Sequence, residues 1–87
     1  MKLAGRLIKG TRTIKKAFFE NDNSSMAFAD ALEECLIRLC KEMDIPVPIW
    51  MKKNTHEFVA FRKTFFTSEQ FAEEINFDKF EITLEQH

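Results

Sequence analysis

Tyrosine is absent from this chain of 87 residues, and glycine, proline and cysteine occur only twice each. Each scarcity excludes something. A phosphate-cradling loop or a dinucleotide fingerprint needs several glycines at fixed spacing, and Gly5 and Gly10 alone cannot build one. So few glycines and prolines leave room for few, short loops. No apolar run approaches the ~18 residues of a membrane span, so no membrane association is expected. Lys2 is not followed by the apolar stretch of a secretory leader. The net charge of −1 argues against strong whole-molecule attraction to nucleic acid.

The two cysteines are Cys35 and Cys40. On a helix they point ~140° apart, because each residue turns the helix by ~100°. They cannot close a disulfide there, and reduced thiols in a cytoplasmic protein are the simplest reading. Asn23-Ser24-Ser25 matches the glycosylation pattern, which has no force without secretion.

What the chain does have is phenylalanine, ten of them. Phe lacks a polar tip and contributes apolar area and ring packing alone. With 45% apolar and 31% charged residues the composition is globular. The length is that of one domain, 1–87, with a modest core.

Residues 2–20 read as a β-hairpin with a type II′ turn at Gly10-Thr11, where Gly supplies the positive φ. That register sets Leu7 opposite Ile14 and Leu3 opposite Phe18 on one apolar face. Lys2, Arg6 and Lys15 then take the other face, with Ile8 and Phe19 as exceptions. Ser24 or Ser25 can cap a helix over 26–43, whose inner stripe is Phe28, Leu32, Cys35, Leu36, Leu39 and Met43. Cys40 falls at the margin of that stripe. Glu34–Arg38 and Arg38–Glu42 have the spacing of helical ion pairs. Pro46 and Pro48 end the helix and hold Ile45 and Val47 extended.

Asn54 and Glu57 have capping-box spacing for a second helix with the stripe Phe58, Phe61 and Phe65. Thr67-Ser68-Glu69-Gln70 repeats that spacing for a short third helix, whose inner residues are Phe71 and Ile75. Phe80, Ile82 and Leu84 alternate with Glu81, Thr83 and Glu85 as a half-buried strand. Its acidic outer face suits the basic first strand, so the two are placed side by side, antiparallel. The expected fold is α+β: a three-stranded antiparallel sheet in the order 2-1-3, with two or three helices on one face.

Chemistry-bearing patterns are weak. His56-Glu57 starts like a zinc-protease helix, but Ala60 stands where the second histidine belongs. Cys35 reads as core filler, and Glu33-Glu34 and Glu73-Glu74 as solvated helix faces. No catalytic, cofactor-binding or metal-binding constellation is assigned. Four features bear on binding. Arg6, Lys9, Arg12, Lys15 and Lys16 form a basic N-terminal stretch. It is either a solvated hairpin whose edge lysines prevent aggregation, or a set of phosphate contacts with Phe19 as a stacking partner. Arg62 falls within the second helix's Phe face, where it either snorkels or takes a carboxylate or ring as a structural partner, or binds an anion or other ligand. Met26 and Ile37 lie off the main stripe as candidates for a protein-binding patch. Trp50 either closes one end of the core together with Ile49 or anchors a partner. Together these point to a small, non-enzymatic protein-interaction module, with homodimerisation as one form. Nucleic-acid binding by the hairpin is the alternative.

Overall fold

The computed structural model describes residues 1–22 and 25–86, Gln86 through its backbone alone. The chain runs β1 (Lys2–Lys9), β2 (Arg12–Glu20), α1 (Phe28–Met43), α2 (Lys52–Phe61), β3 (Lys63–Thr67), a 3-10 turn (Ser68–Gln70) and β4 (Lys79–Gln86). The four strands form one antiparallel sheet in the order β2-β1-β4-β3. The α+β class is as expected, with two helices and one strand more than the sequence suggested.

The hairpin turn has the anticipated chemistry. Gly10 takes φ +63 and Thr11 is not among the positive-φ residues. The Gly10 amide donates to Asp78 Oδ2 at 2.6 Å, which ties the turn to the approach of β4. Near the turn Lys9 faces Arg12 and Ile8 faces Thr13; beyond it the register slips by one, and Leu7 faces Lys15. The extra residue is Ile14, a β-bulge. A one-residue slip turns every following side chain to the opposite face. Phe19 and Ala17 therefore face the core opposite Leu3 and Gly5, while Phe18 is 61% exposed. This corrects the expected Leu7–Ile14 and Leu3–Phe18 pairs. It also moves Lys15 off the open face: its Nζ donates to the Met43 carbonyl at the end of α1, where a cation suits the helix dipole.

β4 lies beside β1 as the charge pattern required. Arg6 stands opposite Glu81 and its Nε donates to Oε1 at 2.6 Å, with Nη2 to Oε2 at 3.4 Å. Gly5 is needed inside: a Cβ there would lie 2.8 Å from Leu39 Cδ2 and 2.9 Å from a Phe80 ring carbon. The core is Leu3, Leu7, Leu36, Leu39 and Met43 against Phe66, Phe80 and Ile82, closed by Phe58, Phe71 and Phe77.

α1 begins at Phe28 with Ala27 in the N-cap position, so Ser25 is not the N-cap residue; the other candidate, Ser24, lies outside the described residues. Asp44, at φ 57, ends the helix. Cys40, expected at the margin, is fully buried. Glu34 accepts from Asn21 Nδ2 at 2.8 Å, and Arg38 lies 5.8 Å from the Phe19 ring.

α2 starts at Lys52, earlier than expected, because Asn54 is the third helical residue and not the cap: its Oδ1 accepts from the Met51 amide at 2.8 Å. The helix stops at Arg62, again left-handed at φ 57. Residues 63–67 then pair with β4. The expected Phe58–Phe61–Phe65 stripe is thus divided. Phe58 is core, Phe61 is 75% exposed, and Phe65 is half-buried on the outer side of β3. At Thr67 the Gln70 half of the box forms, with the Thr67 amide donating to Oε1 at 3.3 Å, but only one turn follows. Phe71 and Ile75 still pack inward from an irregular segment.

The reason for that short turn is a buried polar network. Gln70 Nε2 donates to Asn54 Oδ1 at 2.8 Å and to the Ile49 carbonyl at 3.1 Å. Asn54 Nδ2 donates to Thr64 Oγ1 at 2.8 Å and to the Phe65 carbonyl at 2.9 Å. Thr64 in turn donates to Glu57 Oε1 at 2.6 Å. Asn54, Thr64 and Gln70 are all fully buried. Replacing Asn54 by Ala strands several of these groups, and the expected cost is about 3 kcal/mol. An unfolding free energy for Asn54→Ala, measured by urea titration, within about 1 kcal/mol of wild type would sink the view that this network holds the fold.

Candidate functional site

Two surfaces stand open. The first is an apolar groove of ≈ 580 Å³ between α1 and α2. Leu32 and Leu36 of α1 form one wall; Thr55, Phe58 and Val59 of α2 form the other; Val47, Pro48 and Trp50 lie between the helices. Local sequence explains this placement. After the left-handed Asp44, residues 45–51 run extended, as residues flanking Pro46 and Pro48 must. The Ile49 amide is fastened to the Gln70 carbonyl at 2.6 Å. Trp50 packs edge-on against Phe58 at 5.8 Å and against Phe66 at 5.7 Å, and its Nε1 donates to Thr55 Oγ1 at 2.8 Å. It therefore closes the core from one side and lines the groove from the other. Ile49, expected to fold back with it, is exposed.

Of the charged residues only Glu33 lines the groove; Asp30 on α1 and Lys52 on α2 lie outside its lining. Asp30, Glu33 and Ile37 share one face of α1 at helical spacing, and all three are exposed. Lys52, Thr55, His56 and Val59 share one face of α2. Ile37 is 44% exposed and Val59, at the crest of α2, is 79% exposed.

The second surface is the side of the sheet away from the helices, where a shallow concavity of ≈ 670 Å³ is lined by Lys2, Ala4, Arg6, Lys16, Phe18 and Glu81 among others. Lys2 Nζ lies 4.5 Å from the Phe18 ring centre, and Lys79 Nζ lies 5.2 Å from that of Phe65. Arg6 is engaged on three sides, by both oxygens of Glu81 and through Nη1 to Thr13 Oγ1 at 3.0 Å. The hydrogen bond to Glu81 and its charge push the Arg6 pKa above its usual value.

The sequence-derived candidates divide between these places. Ile37 and Trp50 come together at the groove. Met26 precedes α1, and its Sδ accepts from Asn21 Nδ2 at 3.3 Å. Arg62 is not on a helical Phe face: it is the exposed C-cap of α2, its amide donating to the Phe58 carbonyl at 2.8 Å. Of the basic stretch, Arg6 and Lys16 share the outer concavity, Lys15 reaches the end of α1, and Lys9 and Arg12 flank the turn. Val59 and Val47 were missed. Val59 stood in the sequence as an apolar residue beside a stripe, and only its 79% exposure marks it.

No group of three or more metal-ligating side chains is poised together among the described residues. Both thiols are buried; loss of hydration pushes the Cys40 pKa up to about 12 and raises that of Cys35 as well. Comparison with protein-family models, curated proteins and solved structures returns no match. Among the described residues no helix is long and apolar enough to cross a membrane.

Two outcomes are expected here. Native protein at pH 8 reacts with a thiol-specific disulfide reagent about a thousandfold more slowly than the urea-unfolded chain, because thiolate is the reactive species. Comparable rates would show that these thiols are accessible. Arg62→Gly relieves a left-handed φ of 57 and raises stability by about 0.5–1 kcal/mol; a lower melting temperature would mean that the Arg62 side chain holds a contact the C-cap geometry does not explain.

Proposed function

We propose that this chain is a small cytoplasmic protein-interaction module, acting by binding rather than catalysis, whose α1–α2 groove receives a helix from a partner. The observation that carries the reading is the groove itself: ≈ 580 Å³, walled by Leu32, Leu36 and Phe58, and crested by an almost fully solvated Val59. Helices dock in such grooves by an apolar ridge at spacings of three and four residues. Trp50 in the groove adds a rigid aromatic anchor of the kind enriched at binding hot spots. Asp30 and Glu33 on the α1 rim favour a partner helix whose ridge is flanked by a basic side chain.

The alternative, single-stranded nucleic acid on the outer sheet face, has exposed Phe18 in its favour, with Lys2 and Lys16 beside it. Against it, Arg6 is occupied by Glu81, and Glu85 lines the same concavity. A surface gaining its affinity from phosphates needs unpaired cations.

A displayed library of helical peptides, selected on wild-type protein and counter-selected on Val59→Asp, tests the groove. The expected result is a family of amphipathic peptides that compete with one another and bind Val59→Asp at least tenfold more weakly. Selection of peptides indifferent to Val59 and Trp50 would refute the groove. Tight binding of a labelled single-stranded oligonucleotide at physiological salt, lost in Phe18→Ala, would replace it with the sheet face.

A further inference from the structure

The groove and the ridge that could fill it belong to the same surface. Val59 stands on the crest of α2, immediately beside the groove that α2 walls. A surface with a knob beside a hole can mate with itself about a two-fold axis, each knob entering the other copy's hole. The charges obey the same rule. On α1 Glu33 lines the groove and Asp30 lies one turn before it on the same face, and the α2 face that carries Val59 also carries Lys52 at seven residues' distance. A two-fold axis that lays α2 of one copy against α1 of the other brings Lys52 toward Asp30 and Glu33 twice over. Lys52 is thus the basic flank that the acidic rim favours.

We infer that the helix received by the groove is α2 of a second copy of this chain, in an isologous homodimer with Val59 in the partner copy's groove and Lys52 against the α1 carboxylates. The inference rests on the groove being the docking site, and it names the occupant. Exposed Ile37 and Val47 are then covered in the dimer, in keeping with the apolar centre and charged rim of stable interfaces.

Sedimentation equilibrium from about 1 to about 200 µM reads the association directly. Wild type is expected to dimerise within this range, and Val59→Asp, on a residue whose exposure keeps the fold intact, to remain monomeric. Glu33→Lys and Lys52→Glu each place like charges together at two points and weaken self-association by about tenfold. In an equimolar mixture of the two variants, the two introduced side chains, opposite in sign, meet at one point and the native pair remains at the other, so the mixed dimer regains wild-type affinity. Wild type that stays monomeric at the highest concentration overturns the inference. So does a dimer indifferent to Val59→Asp, or a mixture no tighter than either variant alone. A monomer that still binds the groove-selected peptides refutes only the second copy as occupant; a monomer that binds none of them refutes the groove as well.

Discussion

The side-chain amide of Asn54 has all its hydrogen-bonding capacity engaged inside the protein: Oδ1 accepts from the Met51 amide and from Gln70, and Nδ2 donates to Thr64 and to the Phe65 carbonyl. Those partners belong to separate pieces of chain: the residue before α2, the 3-10 turn after β3, and β3 itself. Through Gln70 the network also seizes Ile49, by its carbonyl and by its amide. A buried amide with any of these bonds missing is costly, so the arrangement is satisfied as a whole or not at all. It therefore fixes where the 45–51 segment runs, and with it the strip of Val47, Pro48 and Trp50 that separates the two helices. The floor of the groove is thus this segment, with α1 on one side and α2 on the other.

The same logic of a small local cause with a wide effect holds at the hairpin. One extra residue, Ile14, decides which of two adjacent phenylalanines is core and which is surface. Without the bulge Phe18 would point inward opposite Leu3, and Phe19 would be exposed. With it, Phe19 packs inward beneath Arg38, and Lys15 swings to the end of α1. The bulge thereby exchanges Lys15 for Lys16 and Phe19 for Phe18 on the outer face, so which cation and which ring stand there is set by one residue.

Legibility in the sequence followed the range of the interactions. The Gly10 turn, the α1 stripe from Cys35 to Met43 and the alternation of β4 are written in local spacing, and they were readable. The pairing of β4 with β1 was readable too, because opposite charges on facing strands leave a trace in composition; Arg6 and Glu81 are that trace. The bulge at Ile14 has no local signature, since a β-branched residue fits either register. Asn54 and Gln70 were recognisable as capping residues, yet their partners lie in segments 10 and 16 residues away, beyond what capping spacing encodes. Phe61 and Phe65, four residues apart, mimic one helical stripe; only the left-handed turn at Arg62 divides them between helix and strand. Ile37 and Trp50 could be picked out singly, by an off-stripe position and by rarity. That they meet at one groove depends on the Asn54 network and could not be read from either residue.

The proposal of the groove rather than the sheet face as the binding surface follows from what the fold itself requires. The outer sheet face is largely self-satisfied: Arg6 is forked onto Glu81, Lys2 covers Phe18 and Lys79 covers Phe65. Its exposed rings already have cations over them, and a ligand there must displace those contacts before adding its own. At the groove nothing comparable covers the crest. Val59 could be any helix-favouring polar residue without loss to the core, since its side chain is 79% exposed and a β-branched residue is a poor choice on a solvated helix surface. An apolar residue placed against both helix propensity and solubility, at the lip of an apolar groove, is not required by the core, and the proposed docking of a helix there accounts for it.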